Sequence, residues 1–188
     1  YVGAAREEGV GGIFMAAHMG SWEMAGAALG LLGVPLTAAV LKHHDPRIDE
    51  IFADIRHRGN IEEVPLGGAL AKLENAVERR RFIALVSDRD VKGTGMKVTF
   101  LGEETTMPAG HVKLALRTGA WIFPAMTYRG PAHRIIIEIR PPIIPQPGET
   151  EEQLMARALP ALEDIIRSHP DQWSSFFNPE AILDRLLP

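Results

Sequence analysis

Short apolar runs, each about the length of a β-strand, recur along the chain, separated by stretches with helical spacing. GIFMAA (Gly12–Ala17), LTAAVL (Leu36–Leu41) and FIALV (Phe82–Val86) contain no charged residue. A strand that is apolar at successive positions has no face to offer water, so it belongs in a sheet covered on both sides. Between the runs, Ser21–Leu32 is rich in Ala and Leu and stops at Gly33, which predicts a helix. Ile48, Ile51, Phe52 and Ile55 recur at intervals of three and four residues within Pro46–Arg58, the spacing of an amphipathic helix. Leu70, Leu73 and Val77 predict another over Gly68–Arg80. Pro108 opens and Gly119 closes a further helix, the usual placement of these two residues. Ile61–Pro65, Ala120–Tyr128 and Arg134–Arg140 read as strands. Glu151–Ser168 reads as a long helix, and a last one starts at Asn178-Pro179. The alternation predicts an α/β fold, a single domain over 1–188 with a largely parallel central sheet flanked by helices.

Composition removes several classes of function. Lys and Arg total 20 against 24 Asp and Glu, a net charge of −4, so nonspecific nucleic-acid binding, which neutralises phosphates, is not expected. There is no cysteine, hence no disulfide, thiolate nucleophile or thiolate-held metal. Met24 to Leu41 carries no charge and approaches the shortest length that spans a bilayer. Gly26, Gly30 and Gly33-Val34-Pro35 interrupt it, so a short helix followed by a strand is the expected outcome. The chain starts at Tyr1 without a basic-then-apolar leader, and a fragment of a longer protein is expected.

In parallel sheets, ligands bind beyond the carboxyl ends of the strands, which directs attention to the residues after Ala17, Leu41 and Val86. His18 follows the first run and Glu23 comes five residues later, in HMGSWE. With His18 in the turn and Glu23 in the first helical turn capped by Ser21, the carboxylate could hold one imidazole nitrogen and leave the other as a base. Equally, a histidine in the core and a Glu that favours the helix dipole would give the same pattern. Lys42-His43-His44-Asp45 follows the second run, but neighbouring residues in a turn point apart, so no metal is expected there. Ser87-Asp88-Arg89-Asp90 follows the third run. The glycines of Lys92-Gly93-Thr94-Gly95 permit a tight loop without the phosphate-loop signature. Arg56 and Arg58 end the second helix, where they either suit its dipole or bind an anionic substrate. No G-x-S-x-G elbow is present, which leaves His18 as a base acting on a substrate hydroxyl.

Taken in order, these segments resemble the lysophospholipid acyltransferase superfamily. The similarity is to its branch of bacterial lipid A late acyltransferases (lauroyl and myristoyl transferases) and phosphatidylinositol mannoside acyltransferase. HMGSWE resembles the H-x4-[D/E] block. HHDPRID resembles N-P-x-x-D through Pro46 and Asp49, and Arg56 and Arg58 resemble R-x-R. SDRD resembles D-x-D, and Phe100, Gly102, Pro108, Gly110, Thr118, Gly119 and Pro124 follow the branch's next block. HPDQWSSF resembles its P-E-Q-[YW] ending. The resemblance implies transfer of a fatty acyl group from a thioester of coenzyme A or acyl carrier protein to a glycolipid hydroxyl. His18 would be the general base and Glu23 would fix its tautomer. Arg56, Arg58, Asp88 and Asp90 would position donor or acceptor. It implies no cofactor beyond the donor, no metal, and peripheral attachment to the cytoplasmic face of a bacterial plasma membrane. It also implies that an amino-terminal membrane-associating segment precedes Tyr1. The competing readings are a non-catalytic lipid-binding module of the same fold, or a thioester or ester hydrolase.

Overall fold

The structure is a computed structural model that describes residues 1–41, 45–66, 68–90 and 93–174. In chain order its elements are α1 (Val2–Glu7), β1 (Gly12–Ala16), α2 (Trp22–Leu31), β2 (Leu36–Val40), α3 (Pro46–Arg58), β3 (Glu62–Pro65), α4 (Leu70–Glu78) and β4 (Phe82–Val86). Then come β5 (Met96–Phe100), β6 (Glu103–Met107), α5 (Gly110–Thr118), β7 (Trp121–Arg129), β8 (Ile135–Ile139) and α6 (Glu151–Ser168). Six strands form one sheet in the order β3-β2-β4-β1-β7-β8. All neighbours are parallel except β8, which pairs antiparallel with β7. The predicted α/β class and largely parallel sheet are observed.

The apolar strands are buried on both faces, as their composition requires. Ile13, Met15, Ile83 and Ile122 point into a core closed by α4, α5 and α6. Phe14, Leu36, Phe82 and Phe123 alternate with them and pack with Ala5 of α1 and Leu29 of α2. Phe14 stacks on Phe82 with ring centroids 5.5 Å apart, and Phe123 lies 6.0 Å from Phe82. Offset aromatic contacts of this kind add to the area they bury.

The uncharged stretch Met24 to Leu41 is a short helix and a strand, as expected. Among the described residues no helix is long and apolar enough to cross a membrane. α2 lies close against the end of α3, and a Cβ on Gly30 would collide with the Gly59 carbonyl oxygen. Asp45 caps α3, accepting from the Arg47 amide at 2.9 Å, and Thr150 with Gln153 forms a capping box on α6.

The sequence reading has no counterpart for α1 or for the β5–β6 hairpin. That hairpin turns through Leu101 (φ 53°) and Gly102 (φ 91°). Asn-Gly is the usual sign of such a turn, and a leucine in the left-handed region conceals it. The Leu101 amide donates to Glu163 of α6 at 2.8 Å, a contact from 62 residues away that helps hold the turn. The helix expected from Asn178 falls outside the described residues.

Candidate active site

β1 and β4 are adjacent and parallel, with Ala16 opposite Val86. The Ser87 amide donates to the Ala16 carbonyl at 2.8 Å and carries the pairing one step further. His18 and Asp88 therefore emerge side by side, each two residues beyond its strand. His18 Nδ1 lies 2.7 Å from Asp88 Oδ1, and the His18 backbone amide donates to Asp88 Oδ2 at 3.1 Å. The Trp173 indole N–H donates to the same Oδ2 at 2.8 Å. The Asp88 side chain is fully buried, while that of His18 is 26% exposed. Burial pushes the Asp88 carboxyl up, but the hydrogen bonds from His18 and Trp173 outweigh it and hold it below the usual carboxylate range. An ionised carboxylate only accepts, so Nδ1 carries a proton, and in the neutral imidazole the lone pair then belongs to Nε2. Nε2 has no partner among the described residues. The imidazole meets Trp22 edge-on at a centroid distance of 5.2 Å.

The turn after His18 is held by backbone contacts. Gly20 has φ 56°, and a Cβ there would strike the Thr127 carbonyl oxygen of β7. Only glycine meets both demands at low cost. The Gly20 amide donates to the Gln172 carbonyl at 3.0 Å, and the Ser174 amide donates to the His18 carbonyl at 2.8 Å.

The expectation that Glu23 fixes the His18 tautomer is corrected. Glu23 sits in the first turn of α2 but accepts from Arg56 Nη1 at 3.0 Å, and the imidazole nitrogen it was to hold is taken by Asp88. Asp88, expected to position substrate, is instead buried support for His18. Arg56 is 4% exposed and also donates from Nε to Glu63 at 2.8 Å, so it joins α2, α3 and β3. Burial lowers its affinity for a proton, but the two carboxylates more than compensate and raise it. Arg58 is not brought to the site, because its Nε pairs with Asp54 one turn earlier on an exposed face. Asp90 Oδ2 accepts from the Gly95 amide at 2.7 Å and shapes the following loop. Ser21 is the residue before α2, without a side-chain capping bond. Asp45 caps α3, while Lys42, His43 and His44 lie outside the described residues.

His18 opens into a cavity of about 830 Å³ at the carboxyl edge of the sheet, within the range of small-molecule sites. Its lining is mostly apolar. Ala16, Ala38 and Ala84 of the sheet, with Gly26 of α2, leave room beside Leu29 and Phe14. Arg56, Arg89 and Asp90 border it as well. Two buried side chains that line it, His111 and Thr127, have polar atoms without a hydrogen-bond partner among the described residues. Complete burial pushes the His111 imidazole down to about 4, so it is neutral at pH 7.

Sequence reasoning missed the role of Asp88 and the participation of Trp173. Part of the signal for Asp88 was present, since both residues lie within two positions of the end of an apolar run. Adjacency of those two strands is set by the sheet order, which no local pattern carries. Trp173 was visible only as part of the carboxyl-terminal motif.

A family model of bacterial lipid A biosynthesis acyltransferases matches residues 1–178. The chain is 36% identical over 125 residues to phosphatidylinositol mannoside acyltransferase of Mycolicibacterium smegmatis, covering 64% of this chain and 41% of that protein. It is 32% identical over 128 residues to the protein of the same name from Mycobacterium tuberculosis strain H37Rv, covering 66% and 40%. The matched part thus spans about two fifths of the length of these relatives. With its family model covering nearly the whole sequence, the chain belongs to the bacterial lipid A biosynthesis acyltransferase family.

Proposed function

We propose that residues 1–188 are a catalytic domain that moves a fatty acyl group from a thioester of coenzyme A or acyl carrier protein to a hydroxyl of a membrane glycolipid. The observation that carries this reading is an imidazole held on Nδ1 by a fully buried carboxylate, its Nε2 without a partner among the described residues, beside a mostly apolar cavity. His18 Nε2 takes the proton from the acceptor hydroxyl as its oxygen attacks the thioester carbon. Asp88 stabilises the imidazolium that forms. The C–S bond then breaks, and the departing thiolate takes the proton back from His18. An activated thioester and a base suffice, so the reading uses no metal and no further cofactor.

The apolar trough between sheet and α2 suits the fatty chain. Asp90, on the cavity border, keeps a substrate-facing place in this reading, while Arg56 holds the cavity wall together. The names of the mycobacterial relatives favour a mannosylated phosphatidylinositol as acceptor. Exposed apolar side chains at Met24, Leu41, Ile48 and Ile51 favour peripheral contact with a bilayer. The cytoplasmic face is the side where acyl thioesters are made.

The test supplies a labelled acyl thioester with and without mannosylated phosphatidylinositol. Acylated glycolipid should form only when both are present. His18→Ala should lower the rate by about 10²–10⁴ with an unchanged circular dichroism spectrum. Free fatty acid as the sole product would make the protein a hydrolase, and no turnover with tight lipid binding would make it a non-catalytic module.

A further inference from the structure

Gln172, Trp173 and Ser174 form a strap across the His18 turn, and it does more than cover it. Besides the two backbone bonds given above, Ser174 Oγ donates to the His18 carbonyl at 2.7 Å. Met19 and Trp173 form an antiparallel bridge. The Gln172 side chain anchors the strap on β7, accepting from the Arg129 amide at 2.6 Å and donating to its carbonyl at 3.0 Å. Trp173 itself packs edge-on against Phe100, with centroids 6.1 Å apart. Phenylalanine would serve that packing nearly as well. Only an indole also brings an N–H to Asp88 Oδ2, at 2.8 Å.

A carboxylate oxygen fixed by two donors turns less about the Cβ–Cγ bond than one fixed by a single longer bond, and the imidazole bound to the carboxylate follows it. Oδ1 of Asp88 faces His18 Nδ1, and Oδ2 is fixed by the His18 amide and the Trp173 indole. We propose that Trp173 is a positioning residue of the active site: its indole N–H locks the Asp88 carboxylate, through which the strap sets the orientation and proton affinity of His18. The kinetic part rests on the acyl-transfer reading, whereas the structural part does not. The other titratable and charged side chains that border the same cavity are Glu23, Arg56, Arg89, Asp90, His111 and Lys113.

Two replacements in the full-length protein test this. Trp173→Phe keeps an aromatic ring, and a tryptophan isostere with sulfur in place of the indole N–H keeps the ring's size and packing. Both should lower kcat by about tenfold, the scale of one hydrogen bond to a charged group, with KM unchanged. Without the indole donor, Asp88 binds the imidazolium more strongly, so the acid limb of kcat against pH should move upward. The Nδ1–H proton resonance of His18 should shift as well, a readout that needs no turnover. Were the wild type to transfer no acyl group, the acyl-transfer reading would fail while this resonance still judged Trp173. A folded isostere with the parental rate, limb and resonance would overturn the proposal. So would an isostere that failed to fold, because the N–H would then serve the fold rather than the site.

Discussion

On one side of the cavity a buried carboxylate holds a partly exposed base, and on the other a buried cation holds two partly exposed carboxylates. Asp88 is fully buried and His18 is 26% exposed. The Arg56 side chain is 5% exposed, between Glu23 at 23% and Glu63 at 35%. Both arrangements satisfy their buried charge with short hydrogen bonds, yet only the first can do proton chemistry. Arginine stays protonated at any pH a protein survives, with no lone pair to offer. Histidine, held on one nitrogen, keeps the other free to gain and lose a proton. The contrast teaches that the exposed partner decides the role. The base faces the cavity at His18, whereas at Arg56 the cation is enclosed and ties α2, α3 and β3 together.

Replacing the cation breaks the structural half of the comparison. Arg56→Met leaves Glu23 and Glu63 without their shared partner. It should destabilise the fold by about 2–3 kcal/mol, the low end for a buried pair because the carboxylates reach solvent. Denaturant unfolding measures this. A loss of transfer activity with stability unchanged would mean that Arg56 acts on substrate instead.

His111 sharpens the comparison, because it is buried with no hydrogen-bond partner among the described residues. Its folded value of about 4 lies below the ordinary histidine value of 6.5. Between these values the unfolded chain binds the proton and the folded chain does not. The associated stability is therefore present above about pH 6.5 and is lost as pH falls toward 4. From pH 7 to pH 5 the loss is about 2 kcal/mol. His111→Phe should remove this part of the acid sensitivity in thermal melts taken across that range. An unchanged slope would show that the imidazole finds a partner on protonation.

The sheet and most of its helices could be read from local pattern, because apolar runs and three-and-four spacing act within a few residues. α2, β2, α3 and α6 fall close to where the sequence places them. The hairpin at Leu101 could not be read, since Glu163 of α6 helps hold its turn from far along the chain. The site divides in the same way. His18 was found from its place after a strand. Its carboxylate was assigned to Glu23, the nearest in sequence, because a five-residue spacing is visible and a 70-residue pairing is not. Arg56 and Arg58 look equivalent in the sequence. The burial of one and the exposure of the other follow from which side of α3 meets α2 and β3.

The central claim is that Asp88, and not Glu23, holds the His18 imidazole, the base of the proposed reaction. The most direct measurement compares acyl transfer to mannosylated phosphatidylinositol by Asp88→Asn and Glu23→Gln, each shown to be folded. Asp88→Asn keeps the shape but cannot stabilise the imidazolium, so its kcat should fall by about 10² or more. Glu23→Gln can still accept from Arg56, so its kcat should stay within about tenfold of the parent, the loss of one charge-assisted bond. The reverse order, with Glu23→Gln crippled and Asp88→Asn near the parental rate, would contradict the account.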